Sequence, residues 1–141
     1  MSPEALRSHG SSRTVSYARL MAIARFALVA LDCTDPRGLA DFYRSIVGGQ
    51  IKESTASDDW VRLQTASGVD LGFQRDPDYV SPGWPDGPSQ QAHLDFDVDD
   101  LEAGERAVLA IGATKADSQP SPDEWRVFLD PAGHPFCLIK T

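Results

Sequence analysis

Ala92-His-Leu-Asp-Phe-Asp-Val-Asp-Asp-Leu101 alternates apolar and polar side chains up to an Asp-Asp pair, after which apolar residues return at helical spacing. The pattern predicts a strand over 92–98, a turn at Asp99-Asp100 and a helix over 101–111 stopped by Gly112-Ala113. The same grammar stands upstream. Apolar residues are dense over 26–33, and Thr34-Asp35-Pro36 then ends a strand and opens a helix, with Thr34 or Asp35 as N-cap and Pro36 in the first turn. Leu39, Phe42, Tyr43, Ile46 and Val47 recur at helical spacing before Gly48-Gly49 stop that helix, so this stripe reads as core.

Strand-like runs follow each helix. They cover 50–54, 60–65 and 69–74 in the first half and 114–117, 125–130 and 135–140 in the second, where Asp130-Pro131-Ala132-Gly133 makes the last turn. Strand, helix and three strands thus occur twice, an α+β architecture of two tandem βαβββ modules. Side by side, the repeats would form a curved mixed sheet around a shared hollow, with the helices on its outer face. The boundaries are an N-terminal extension over 1–22 and a domain over 23–141, divided into module one at 25–76, a linker at 77–90 and module two at 91–141. The linker carries Pro77, Pro82, Pro85 and Pro88 with Gly83 and Gly87, which cannot hold a ladder or a helix. Residues 17–22 make a short helix-like patch, and Met21 reads as a natural start of the folded chain.

Bulk properties narrow the function. A chain of 141 residues with 41% hydrophobic content can bury one core without disulfide or metal staples. Its net charge of -8 disfavours nucleic acid, whose phosphates are bound by Lys and Arg. Cys33 and Cys137 are the only cysteines, too few for a disulfide framework, which fits reduced thiols in a cytosol. No apolar run reaches the roughly 18 residues that span a bilayer, so neither a membrane partner nor a secretory leader is expected.

Strand alternation assigns the faces. In the 92–98 run, Ala92, Leu94, Phe96 and Val98 point one way and His93, Asp95 and Asp97 the other. In the first strand the split is Ala27, Val29 and Leu31 against Leu28, Ala30 and Asp32. A polar His93 facing an apolar Leu28 describes a mixed cavity, the usual character of a ligand site.

Ala30-Leu-Asp-Cys-Thr-Asp-Pro36 with Phe42-Tyr43, His93-Leu-Asp-Phe-Asp-Val-Asp-Asp-Leu101, and Asp130-Pro-Ala-Gly-His-Pro-Phe-Cys-Leu138 resemble the glyoxalase-like domains of the vicinal-oxygen-chelate superfamily, which includes glyoxalase, bleomycin-resistance and extradiol dioxygenase members. Pro82-Gly-Trp-Pro85 and Gln90-Gln91 ahead of His93 add to the match, which runs from about Phe26 to the C-terminus. The resemblance implies a small-molecule protein of lyase, isomerase, dioxygenase or antibiotic-sequestering type, commonly a homodimer. Its enzymes hold a divalent metal with a His, Gln or Glu on each of four strands, polarising vicinal oxygens of the substrate. Aligned on the motifs, those positions carry Leu28, Gly72, His93 and Cys137. Leu28 and Gly72 offer no lone pair, and a lone His with a thiol makes a poor site for Mg, Mn, Fe or Ni. Asp70 or Gln74, on the strand face of Gly72, are the alternatives. No metal ligand and no cofactor are therefore assigned, and the expected ligand is a small molecule.

His93 is the candidate catalytic residue, as a general base or a hydrogen bonder to ligand; otherwise a neighbouring strand satisfies it. Asp95, two residues on, would orient the ring or meet a cationic ligand. Trp60, Arg62 and Gln74 are candidate ligand-binding residues of the first module, Trp60 for stacking or for core packing. Trp84 in the linker would cap the pocket or a subunit contact. Cys137 reads as a small buried hydrophobe that also reaches the pocket, and His134 as a turn residue with a backbone hydrogen bond.

Overall fold

The computed structural model describes residues 22–141. The helix-like patch at 17–21 and Met21 lie outside the described residues. β1 (Leu28–Cys33) leads into α1 (Pro36–Val47), followed by β2 (Gln50–Ile51), β3 (Trp60–Gln64) and β4 (Asp70–Arg75). β5 (Leu94–Val98), α2 (Leu101–Ala110), β6 (Thr114–Lys115), β7 (Trp125–Leu129) and β8 (Pro135–Lys140) repeat the order. The two βαβββ modules are thus present, each with a four-stranded mixed sheet, ordered β1-β4-β3-β2 and β5-β8-β7-β6. In each, the first strand lies parallel to the last, Leu28 opposite Asp70 and Leu94 opposite Phe136. This parallel return is what the intervening helix permits.

Caps set the helix starts. The Asp35 side chain accepts the amide of Gly38, and Asp100 accepts that of Ala103, each satisfying a donor the helix cannot. Two strands are shorter than the sequence predicts. After Ile51 the chain enters a 3-10 turn at Glu53–Thr55, which Glu53 ties to α1 through Arg37. Past Lys115 a side chain takes over from the ladder: Gln119 donates to the carbonyls of Ala116 and Val127 and accepts the amide of Val127. β5 also begins two residues late, because Ala92 donates back to the carbonyl of Gln90 and Gln91 takes a left-handed φ of 63°. That is the strained form of the γ-turn.

The core forms where the helices meet the sheets. Val61, Leu63 and Phe73 are fully buried on the helix-facing side, as are Tyr43 of α1 and Phe136 of β8. Tyr43 stacks on Phe73 of its own module and touches Phe96 and Phe136 of the other, so one core serves both modules. Such a shared aromatic cluster adds specific ring contacts to area burial. Among the described residues no helix is long and apolar enough to cross a membrane.

Candidate functional site

No ladder joins β1 to β5, and a cleft of about 520 Å³ opens where these edge strands face each other. Val29 and Leu31 of β1, Leu94 of β5 and Tyr43 of α1 give it apolar walls; Tyr79 and Gln90 reach it from the linker. His93 also lines it, one residue before β5, with its imidazole exposed rather than enclosed. A groove of 610 Å³ runs elsewhere, between α1 and α2, but its only ionisable lining side chains are Asp95 and Asp97.

Beside the cleft, and sharing Gln90, His93 and Pro135 with it, is a smaller cavity of about 180 Å³. Trp84, Trp125, Val127 and Cys137 complete its wall, so the linker tryptophan lines a cavity. Nε2 of His93 lies 3.2 Å from Oδ1 of Asp95, and with Sγ of Cys137 the three donor atoms fall within 4.8 Å of one another. Burial, then the nearby Asp95, pushes the Cys137 thiol up to about 11, so it is a protonated thiol at neutral pH. The side-chain oxygen of Gln90 is buried and, among the described residues, unpartnered.

Trp60, Arg62 and Gln74 line neither of these cavities. For Trp60 and Arg62 strand order is the reason. Trp60 and Arg62 stand on β3, which β4 separates from the cleft-forming β1, a displacement of about two strand spacings, or ~10 Å. Arg62 is also engaged, its guanidinium holding Asp70 at 2.7 and 2.9 Å. The indole tip of Trp60 covers Gly72, where an added Cβ would collide with it.

This bears on the four positions at which the resemblance places metal ligands. Leu28 carries no donor, Gly72 is covered by Trp60, and Asp70, its neighbour on that face, is paired with Arg62. Gln74, the other alternative on that face, would add one amide oxygen to His93 and Cys137, so the residues present still do not make the four-donor oxygen and nitrogen set.

A polar cluster that the sequence reading passed over stands at the other wall of the cleft. Asp130 has a fully buried side chain; its Oδ1 accepts the amides of Ala132 at 2.8 Å and His134 at 3.0 Å, and its Oδ2 accepts the Tyr43 hydroxyl at 2.6 Å. The same Oδ2 lies 2.7 Å from Nδ1 of His134. The Tyr79 hydroxyl donates to the carbonyl of Ala132, and its ring sits 5.3 Å from that of His134. Burial, then the Asp130 charge, pushes the Tyr79 phenol up to about 12 and holds that of Tyr43 well above its ordinary value. The sequence offered only the Asp130–His134 spacing across a turn, which Gly133 closes with a φ of 90°. Tyr43 and Tyr79 reach the cluster from distant positions that no local pattern connects.

Comparison with known proteins follows the same lines. Residues 28–139 match the family model for a glyoxalase-like domain. Among solved structures, a glyoxalase/bleomycin resistance protein/dioxygenase family enzyme from Burkholderia phytofirmans superposes with a TM-score of 0.63 at 22% identity, covering 83% of this chain and 98% of that one. The solution structure of an Agrobacterium tumefaciens protein gives 0.64 at 19% identity, covering 84% and 98%. The fosfomycin resistance protein FosX of Mesorhizobium loti gives 0.61 at 12% identity, covering 85% and 94%. At these identities the likeness is one of fold. No curated protein matches the chain. The extent of the family match and the doubled βαβββ fold together place the chain in the glyoxalase-like domain family.

Proposed function

We propose that this protein binds a small molecule in the cleft between its two modules without a metal ion, sequestering or converting a metabolite or an antibiotic. The observation that carries the reading is the cleft itself: about 520 Å³, apolar-walled, with His93 at its edge. Those are the volume and the mixture of surfaces that small-ligand sites have. The misfit of Leu28 and Gly72 to a metal-ligand role supports the metal-free part. His93 would act as hydrogen bonder or base toward the ligand, with Asp95 orienting its ring at 3.2 Å. The protein is further read as a cytosolic homodimer; light scattering of purified protein tests the pairing.

The test is a fragment screen read by methyl NMR at Val29, Leu31 and Leu94, on protein purified without chelator and analysed for metals. Ligands that move these methyls in metal-free protein are the expected result. If no compound moves them, the cleft is not a binding site.

One observation favours a second reading. The donor atoms of His93, Asp95 and Cys137 within 4.8 Å would suit a borderline-soft ion better than a hard one. This metal-dependent lyase, isomerase or dioxygenase alternative predicts stoichiometric metal in purified protein, lost on His93→Ala.

A further inference from the structure

We propose that the cleft takes a protonated amine carried on an apolar body, and that His134, oriented by Asp130, accepts one of its N–H groups. The proposal rests on the reading of the cleft as a binding site and names the chemistry of its ligand.

The orientation of His134 follows from counting donors. As a carboxylate, Asp130 can only accept, and it already takes the Tyr43 hydroxyl at 2.6 Å and two backbone amides. Its 2.7 Å contact with Nδ1 of His134 therefore requires the ring to donate from that nitrogen. With Nδ1 donating to Asp130, Nε2 is the ring nitrogen left for a ligand, and it accepts wherever the ring carries its one proton on Nδ1. Among the described residues nothing bonds to it, the ring is 15% exposed, and it lines the cleft. The same geometry leaves Nε2 without a protein partner, among the described residues, on a side chain that lines the ligand space.

The rest of the lining sets the charge. The acidic side chains there are Asp32, Asp76 and Asp78, and neither Lys nor Arg contributes. Asp76 already accepts the backbone amide of Asp78 at 2.9 Å, which leaves its other oxygen available. Gln90 also lines the cleft, its side-chain oxygen buried and, among the described residues, unpartnered. An ammonium group offers three donors and no acceptor, and its charge is attracted into an acidic cleft with low-dielectric walls. An anion would meet three carboxylates. Val29, Leu31, Leu94 and Pro135 accommodate the apolar body, and the Tyr79 ring adds an aromatic face.

Three probes of matched size test this on the full chain: benzylamine, benzyl alcohol and benzoate, each titrated while the imidazole nitrogens and the Val29, Leu31 and Leu94 methyls are followed by NMR. The expected free state is His134 protonated at Nδ1. Benzylamine should move both the His134 signals and the methyls, and bind at least about tenfold more tightly than benzoate, as one ionic hydrogen bond requires. His134→Gln should weaken benzylamine by about tenfold on the same reasoning. Asp32→Asn/Asp78→Asn, two exposed residues outside the hydrogen-bonded cluster, should reduce the preference for benzylamine over benzyl alcohol and carries the test should His134→Gln not fold. Benzoate binding as well as benzylamine, or a free His134 protonated at Nε2, overturns the proposal while leaving the cleft as a site. If none of the probes moves the methyls, the amine proposal and the cleft reading both fail.

Discussion

At Asp130 a single carboxylate joins the two modules: Tyr43 reaches it from the first, while Ala132 and His134 meet it within the last turn of the second. All of its hydrogen-bonding capacity is committed inside the protein, and its side chain is fully buried. An asparagine has one acceptor oxygen in place of two and turns an NH2 group toward donors that need acceptors. Asp130→Asn is expected to lose about 1.5–3 kcal/mol, the range for hydrogen bonds to a charged group. Urea unfolding measures it. A loss below about 0.5 kcal/mol, the size of an ordinary surface substitution, would show that the network contributes no more than exposed polar groups do. The sequence made His93 visible through strand alternation, whereas His134 sat beside Gly133 and Pro135 and read as turn. Its setting depends on Asp130, which Tyr43 meets from 87 residues away in the chain, a relation that no periodicity encodes.

Among the elements, those with strong periodicity were legible and those set by side-chain hydrogen bonds were not. α1 follows its apolar stripe, and Asp35 caps it through the amide of Gly38 at 3.1 Å. β2 and β6 fall short because Glu53 and Gln119 engage the chain there, effects of particular polar side chains rather than of hydrophobic pattern. The same holds for the candidate site: alternation places Trp60 and Arg62 on one face of their strand, but strand order, which alternation does not determine, puts β3 beyond β4 from the cleft. The cap gives a clean prediction. Asp35→Ala removes the side-chain acceptor that caps the start of α1 and should cost about 1 kcal/mol, read as a lower urea midpoint with unchanged slope. The helix packs Leu39, Phe42 and Tyr43 into the shared core, so the loss should appear as global destabilisation. Local fraying with an unchanged midpoint would contradict that placement.

For the molecule as a whole, the groups held by burial combine into one pH dependence. Cys33 and Cys137 are both pushed from 9.0 to about 11, chiefly by burial, and Tyr79 from 10.0 to about 12. Tyr43 shifts in the same direction. Each retains its proton in the folded state at a pH where the unfolded chain has lost it. Because the unfolded state then binds fewer protons, stability falls as pH rises. The contribution is complete below the unfolded thiol value of 9.0 and is lost as pH climbs through the folded value near 11. Each thiol should remove on the order of 1 kcal/mol per pH unit across that window. Urea midpoints should therefore be level from neutral pH to just below 9 and then decline steadily towards 11. Cys33→Ala/Cys137→Ala separates the contributions, since it removes the thiol part of the decline and leaves the part due to Tyr43 and Tyr79, which begins near 10. Equal midpoints at about pH 8 and about pH 10.5 in the unsubstituted protein would mean that these thiols ionise alike in both states, and that the fold shields them less than their burial in the two hydrophobic clusters requires.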